Sequence, residues 1–214
     1  LTEEISLPFE GELKGYIFDY QQAILAKKRE NKPREIYIHQ YYNGERYIAR
    51  RDGLKNGSKG TSPESQQLIL DAMNDPFWGI RIDAIGLAKK LKEEKREEGI
   101  AKLKELAIND PESSVRGAAL AKLGKFMEAD EVEPLYIAAI SNDQSYSVIS
   151  SALSSLGKDN PEKAIALAEP MESEKSSKMI SGIAQLYAGY GESDKYDFFV
   201  NALNGNTLQG YDKL

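Results

Sequence analysis

Few residues of this chain have the type and spacing that enzyme chemistry needs. The 214-residue sequence contains a single histidine, His39, and no cysteine. A zinc site of the His-Glu-x-x-His kind needs two imidazoles one helical turn apart, so these residues do not form one. His39 lies among tyrosines in a predicted amphipathic helix, where a surface or structural histidine is commoner than a catalytic one. We therefore predict no metal site and no cofactor site in this chain.

Two other segments match reactive or ligand-binding motifs only in part. Residues 57–62 precede a predicted helix but lack the Gly-x-x-x-x-Gly-Lys-Ser/Thr spacing of a phosphate-binding loop, so we expect a flexible joint there. The carboxylates of residues 93–98 alternate with basic residues, as they do on a solvated helix face. No Gly-x-Ser-x-Gly turn supplies a nucleophilic serine. We therefore predict no catalytic residue.

The composition is that of an acidic globular protein. Hydrophobic residues make up 41% of the chain and charged residues 29%, which supports a sizeable core. The net charge at pH 7 is -6, and the basic residues alternate with acidic ones, so we do not expect nucleic acid as a partner. No apolar run approaches the roughly 18 residues of a membrane span. The cysteine-free composition is compatible with any compartment.

The first 33 residues differ from the rest. Two short apolar runs, residues 16–18 and 23–25, flank a polar turn and predict a β-hairpin or two edge strands. A lone hairpin is marginally stable, and its unpaired edges favour an upstream sheet that completes it. Pro33 ends the extended part. We predict a strand-containing segment over residues 1–33, the end of an upstream β domain, and a helical domain over residues 34–214.

Helical patterns follow at once. Residues 35–55 carry apolar side chains at helical spacing and form either one helix or two helices broken at Asn43-Gly44. Ser62 is a predicted N-cap, because Pro63 and Glu64 follow it as first-turn residues.

A repeated motif organises the middle of the chain. Asn-Asp pairs begin at Asn74, Asn109 and Asn142, at spacings of 35 and 33 residues. Three apolar or small positions follow each pair in constant register: Ile80, Val115 and Val148; Ala84, Ala119 and Ala152; Ile85, Leu120 and Leu153. They share one helical face, the Asp is a predicted helix cap, and the Ala lets a neighbouring helix approach closely. A second helix follows in each unit, as at residues 94–108 and 131–140, and a weaker fourth unit places Met179 or Ile180 at the head position.

A helix pair of this length does not bury its apolar face alone, so neighbouring pairs must stack into a solenoid. Residues 110–123, DPESSVRGAALAKL, resemble HEAT and armadillo repeats. We therefore expect a mostly α protein, a right-handed α-solenoid of HEAT/armadillo-like helix pairs, with a short β-hairpin or strand remnant at the N-terminus. Arg81 and Arg116 share one register position, and Ile149 departs from it.

Phe77 and Trp78 fall in the first turn of the first repeat helix. Packing against the preceding repeat is favoured over a ligand contact for these two aromatic side chains. Together with Arg81 they are our candidates for interdomain or partner contacts.

A wider resemblance covers residues 16 to about 125. It rests on Ile24-Leu25-Ala26, the connection at residues 28–32, the Gln40-Tyr41 pair, residues 49–52, and Gly79-Ile80-Arg81 after the Asn-Asp turn. In this order these features resemble the junction in bacterial M1-family zinc aminopeptidases, where a small β-sandwich precedes a C-terminal HEAT-like helical domain. The rest of the chain matches only as generic helical repeat.

The resemblance implies a role without chemistry for this chain. In that family the zinc ligands, the general-base glutamate and the exopeptidase motif lie upstream, and none has a counterpart here. The chain would be the C-terminal part of such an enzyme: its partner would be the upstream catalytic domain, which would hold the zinc, and it would cover the cleft and limit which peptide substrates enter.

A free-standing interaction scaffold is the alternative. Solenoids bind partner peptides along a concave surface, and an acidic surface favours basic partners. A small independent enzyme is the interpretation with least support, because no group of residues supplies nucleophile, base and oxyanion donors together.

Overall fold

The computed structural model describes residues 6, 8, 10–11, 15–21, 23–25, 30–191 and 193–204. Within these residues the chain is mostly helical, as predicted, with eleven α-helices. They are α1 Arg34–Asn43, α2 Tyr47–Gly57, α3 Pro63–Ala72, α4 Trp78–Leu87, α5 Glu93–Asn109, α6 Ser113–Leu123, α7 Ala129–Asn142, α8 Tyr146–Asp159, α9 Pro161–Ala168, α10 Ser177–Tyr190 and α11 Tyr196–Asn204.

The chain divides into two compact units, Leu1–Arg96 and Glu97–Leu214. The predicted division into a segment of residues 1–33 and a domain of residues 34–214 stays a prediction.

The predicted N-terminal hairpin is not seen: residues 16–18 and 23–25 form no strand. The turn between them is closed by a side chain, because Asp19 accepts hydrogen bonds from the amides of Ala23 (2.9 Å) and Ile24 (3.1 Å). The carbonyl of Tyr16 accepts from Lys32 Nζ at 2.9 Å. Short apolar runs are typical of strands, but here a carboxylate and an ammonium group bind the backbone polar groups that a strand would pair.

The segment of residues 35–55 forms two helices, with the break at Asn43-Gly44 that the sequence left open. Helices α1 and α2 pack against each other at very close range. A Cβ added to Gly53 would lie 2.6 Å from the Tyr41 amide nitrogen and 2.8 Å from the Tyr37 carbonyl oxygen. Only a residue without a side chain fits at that contact.

The predicted cap of α3 is confirmed. The Ser62 side chain accepts a hydrogen bond from the Ser65 amide, and Pro63 occupies the first helical position.

The repeat pattern of the sequence correctly predicts which positions of these helices are buried. All nine register positions of the three units, which lie on α4, α6 and α8, are at most 2% exposed. The second helices are also present, as α5 and α7. In the weaker fourth unit Met179 and Ile180 are both buried on α10.

An earlier repeat, which the sequence pattern did not reveal, begins at Asn43. This residue lies 31 positions before Asn74. Four residues of α2 stand at the distances from Asn43 that mark the later units: Ala49, Arg50, Gly53 and Leu54. Gly44 replaces the aspartate, and a Cβ at that position would lie 2.7 Å from the Gln40 carbonyl oxygen. The first unit therefore keeps the helical register but has no turn carboxylate.

In the unit of residues 97–214, the first helices of successive repeats pack on one another, α6 on α8 and α8 on α10. Small residues line both contacts. A Cβ at Gly117 would lie 3.5 Å from Ser151 Oγ, and one at Gly182 would lie 2.5 Å from Ser150 Oγ. In the unit of residues 1–96, α2 packs on α4.

The α1–α2 contact gives a direct test. We expect Gly53→Ala to lower the free energy of unfolding by at least about 2 kcal/mol, because the added methyl group meets backbone atoms. Gly86→Ala in α4 is the matched control, since its Cβ would have no atom within 4 Å and alanine favours a helix by up to about 1 kcal/mol. Urea unfolding followed by the fluorescence of Trp78, the only tryptophan, measures both. Equal stability of the two variants would contradict the close approach.

Candidate functional site

The Asn-Asp turns have one shared geometry. In each, the aspartate Oδ1 accepts a hydrogen bond from the amide two residues on. The three bonds are Phe77 N to Asp75 (2.8 Å), Glu112 N to Asp110 (2.9 Å) and Ser145 N to Asp143 (2.8 Å). The carboxylate therefore closes a turn that ends at the N-cap residue. The prediction that the aspartate itself caps the helix is wrong, because it lies two residues before the N-cap.

The arginine register position has a fixed local role. Arg81 Nη1 donates to the carbonyls of Asp75 (2.8 Å) and Pro76 (3.3 Å), and Arg116 Nη1 donates to Asp110 (2.8 Å) and Pro111 (3.3 Å). Arg50 repeats the pattern, donating to the carbonyls of residues 44 and 45. Each guanidinium thus binds the turn that precedes its own helix.

Arg50 and Arg116 also bind the next turn carboxylate along the chain. Arg50 forms a bidentate pair with Asp75, at 2.9 and 3.2 Å, and Arg116 forms one with Asp143, at 2.6 and 2.8 Å. We call these contacts the turn ion pairs. The hydrogen bonds from Arg116 lower the pKa of Asp143, although partial burial opposes the shift.

Asp75 has a further partner in the Tyr41 hydroxyl, which donates to it at 3.2 Å. The carboxylate side chain is only 2% exposed. Burial and the nearby Asp75 charge both raise the pKa of Tyr41, so the phenol stays a donor. The buried Asp75 carboxylate thus has three hydrogen-bond donors: Arg50, Tyr41 and the Phe77 amide.

Phe77 and Trp78 lie at the start of α4, as predicted. The Phe77 ring packs between Tyr47 of α2, at a centroid distance of 4.5 Å, and Trp78, at 5.5 Å. Phe77 is half-buried, whereas Trp78 is 43% exposed. The structure thus places Phe77 and Arg81 in internal packing and leaves Trp78 at the surface; their role in interdomain or partner contacts stays a prediction.

A buried lysine was not anticipated from the sequence. Lys32 Nζ donates to Gln40 Oε1 at 3.0 Å, and Gln40 Nε2 donates to the Ala49 carbonyl (2.9 Å) and Asp52 Oδ2 (3.1 Å). The ammonium group also lies 4.6 Å from the centroid of the Tyr16 ring. This chain of polar contacts ties the N-terminal segment to α1 and α2. A lysine in a charged run gives no sequence signal for burial.

The other residues considered in the sequence are His39 and the glutamates of residues 93–98, and their surroundings are those of structural or surface residues. His39 is half-buried against Gly15, where an added Cβ would lie 2.8 Å from the imidazole Nδ1. The glutamates at 93, 94, 97 and 98 are exposed on α5. In the part of the chain that the structure describes, no group of three His, Cys, Asp or Glu side chains is placed to hold a metal ion. None of the described helices has the length and apolar character to span a membrane.

A groove lies between α2 and α4 in the unit of residues 1–96. Its volume is about 600 Å³, within the range of about 300–1,000 Å³ that is typical of ligand sites. Apolar side chains form part of its lining, namely Ile48, Leu54 and Leu87. Charged side chains complete the lining: Arg51, Asp52, Lys55, Asp83 and Lys89. Such a lining suits non-covalent binding of a chain that carries both apolar and charged groups.

The turn ion pair in residues 97–214 predicts a pH-dependent stability. We expect Arg116→Met to lower the free energy of unfolding by about 2 kcal/mol at pH 7, because it leaves a partly buried carboxylate unpaired. The folded-state pKa of Asp143 is lowered, so the contribution is full above the unfolded pKa of about 3.9 and is lost as the pH falls through the folded value. Urea unfolding between pH 7 and pH 3 measures the difference.

The control for this prediction is Lys125→Met, which removes one exposed positive charge at the end of α6. It should cost no more than about 0.5 kcal/mol at any pH. An Arg116→Met penalty that stays constant down to pH 3 would contradict the assigned role of Asp143.

No protein-family model and no curated protein matches this sequence.

Proposed function

We propose that this chain is a non-catalytic helical-repeat module that forms the C-terminal part of a zinc aminopeptidase of the M1 family. In that enzyme the module would cover the catalytic cleft and limit peptide access. Its helix pairs would stack as a right-handed HEAT-like solenoid. The zinc and the reacting groups would belong to the upstream catalytic domain, and peptides would meet this chain only on their way into the cleft.

The repeat geometry supports the solenoid. The same arginine contacts and the same buried face recur at α2, α4 and α6, and α8 keeps the carboxylate-closed turn and the buried face. A helix pair built this way presents a further apolar face to the next pair, which is how solenoids extend.

The observation that carries the proposal is the exposed apolar surface at the N-terminal segment. Leu25 is fully exposed, and Phe18 and Ile24 are each more than half exposed. Contiguous apolar side chains at a surface mark a site that another protein surface covers. Lys32 binds the Tyr16 carbonyl and Gln40 of α1 and so holds this segment against α1. The exposed side chains of Ile24 and Leu25 are then available to an upstream domain.

The first test is the coding sequence upstream of the Leu1 codon. The proposal expects one open frame that encodes His-Glu-x-x-His with a further glutamate downstream. A start codon close to Leu1 without that motif would refute the aminopeptidase assignment.

The second test measures docking. The upstream domain, expressed separately, should bind residues 1–214, and Ile24→Asp with Leu25→Asp should weaken that binding at least tenfold, because each buries a charge at the interface. Ile108→Asp, at another exposed apolar position, is the matched control and should bind normally. Calorimetric titration reports the affinities. If the Ile24→Asp/Leu25→Asp variant and the Ile108→Asp control bind with equal affinity, the N-terminal segment is not the docking surface.

A free-standing interaction scaffold is the second candidate. The groove between α2 and α4 favours it, because a mixed apolar and charged lining suits a bound peptide. The expectation that the partners are basic stays a prediction for the acidic surface as a whole.

A further inference from the structure

The groove between α2 and α4 has an apolar floor. Leu54 is buried, Leu87 is half-buried and Ile48 is more than one-third exposed, so apolar surface remains open to a ligand. An apolar side chain of a partner would gain about 25 cal/mol for each square ångström that it buries there.

The carboxylates of the groove are already satisfied. Asp83 accepts from Arg51 Nε at 2.8 Å, a contact that joins α2 to α4. Asp52 accepts from Gln40 Nε2 at 3.1 Å and from Asn56 Nδ2 at 2.9 Å. Arg51 neutralises Asp83, whereas Asp52 keeps its negative charge, so the five charged side chains of the lining carry a net charge of +1.

The lysines of the groove are not satisfied. Within the described residues no carboxylate lies within ion-pair distance of Lys55 or Lys89. Two more lysines extend the positive charge beyond the groove. Burial lowers the pKa of Lys90, and repulsion by Lys89 and Lys59 lowers it further. In a chain of net charge -6, this is a local excess of positive charge.

We propose that this groove binds an extended acidic peptide segment of a partner protein, with an apolar side chain on Ile48 and Leu87 and carboxylates at Lys55 and Lys89. Charge complementarity selects the acidic segment, and the apolar floor selects a peptide over a purely ionic ligand. The inference is independent of the aminopeptidase assignment, because it uses only groups within residues 48–90.

The test uses the full 214-residue chain and a fluorescein-labelled nonapeptide of alternating Glu and Leu. Fluorescence anisotropy should show saturable binding that weakens as salt rises from 50 to 500 mM. A peptide of alternating Glu and Ser tests the apolar contribution, and a peptide of alternating Lys and Leu tests the ionic contribution. Both should bind at least tenfold more weakly than the Glu-Leu peptide.

Variants then locate the site. Lys55→Glu with Lys89→Glu should weaken binding about tenfold or more, and Ile48→Ser should weaken it severalfold. Lys104→Glu with Lys125→Glu changes the net charge equally at exposed positions outside the groove and should have no effect. Circular dichroism checks that each variant is folded. Amide shifts in a ¹⁵N spectrum should change first along α2 and α4.

Three results would overturn the proposal. The first is no binding of the Glu-Leu peptide at 1 mM. The second is equal weakening by the groove and control variants. The third is binding of a 12-nucleotide single strand or of phosphatidylserine vesicles through the same lysines in place of the peptide.

Discussion

The carboxylate of Asp75 accepts three kinds of hydrogen bond where α3 ends and α4 begins: from a backbone amide, from the Arg50 guanidinium and from the Tyr41 hydroxyl. A buried charge without such partners costs several kcal/mol, so the partners must stay in place for the helices to keep their positions. In the unit of residues 97–214, Asp143 likewise accepts from a backbone amide, that of Ser145, and from the Arg116 guanidinium. Within each unit, these fixed turns allow the apolar faces of neighbouring first helices, α2 with α4 and α6 with α8, to pack on one another.

The sequence predicts the repeats because their positions follow from helical periodicity and from a local turn motif. It predicts neither turn ion pair, since Arg50 and Asp75 are 25 residues apart and only the packed helices bring them together. The first unit was missed because Gly44 stands where aspartate marks the later turns. The hairpin was wrong because an apolar pattern does not say whether Asp19 and Lys32, rather than a second strand, will bind the backbone. The groove between α2 and α4 could not be predicted either, because it forms only where these two helices pack together.

Within the described residues, the polar contacts of the repeats position helices. The turn carboxylates and the repeat arginines are engaged in holding helices. Exposed surfaces of the described residues include the apolar N-terminal segment, Trp78 and the groove between α2 and α4. The module that we propose would influence a reaction by what it covers and by what it binds. We propose the first role for the N-terminal segment, toward an upstream catalytic domain, and the second for the groove.

The most direct test of this account is a double-mutant cycle on Arg50→Met and Asp75→Asn, measured by urea unfolding at pH 7. Asparagine keeps an acceptor for the Phe77 amide, so the cycle isolates the ion pair. The account predicts a coupling energy of about 1–3 kcal/mol. The same cycle on Arg51 and Asp83, whose side chains are 56% and 34% exposed, should give less than about 1 kcal/mol. Additivity within about 0.5 kcal/mol at Arg50 and Asp75 would contradict the claim that the turn ion pairs hold the repeats together.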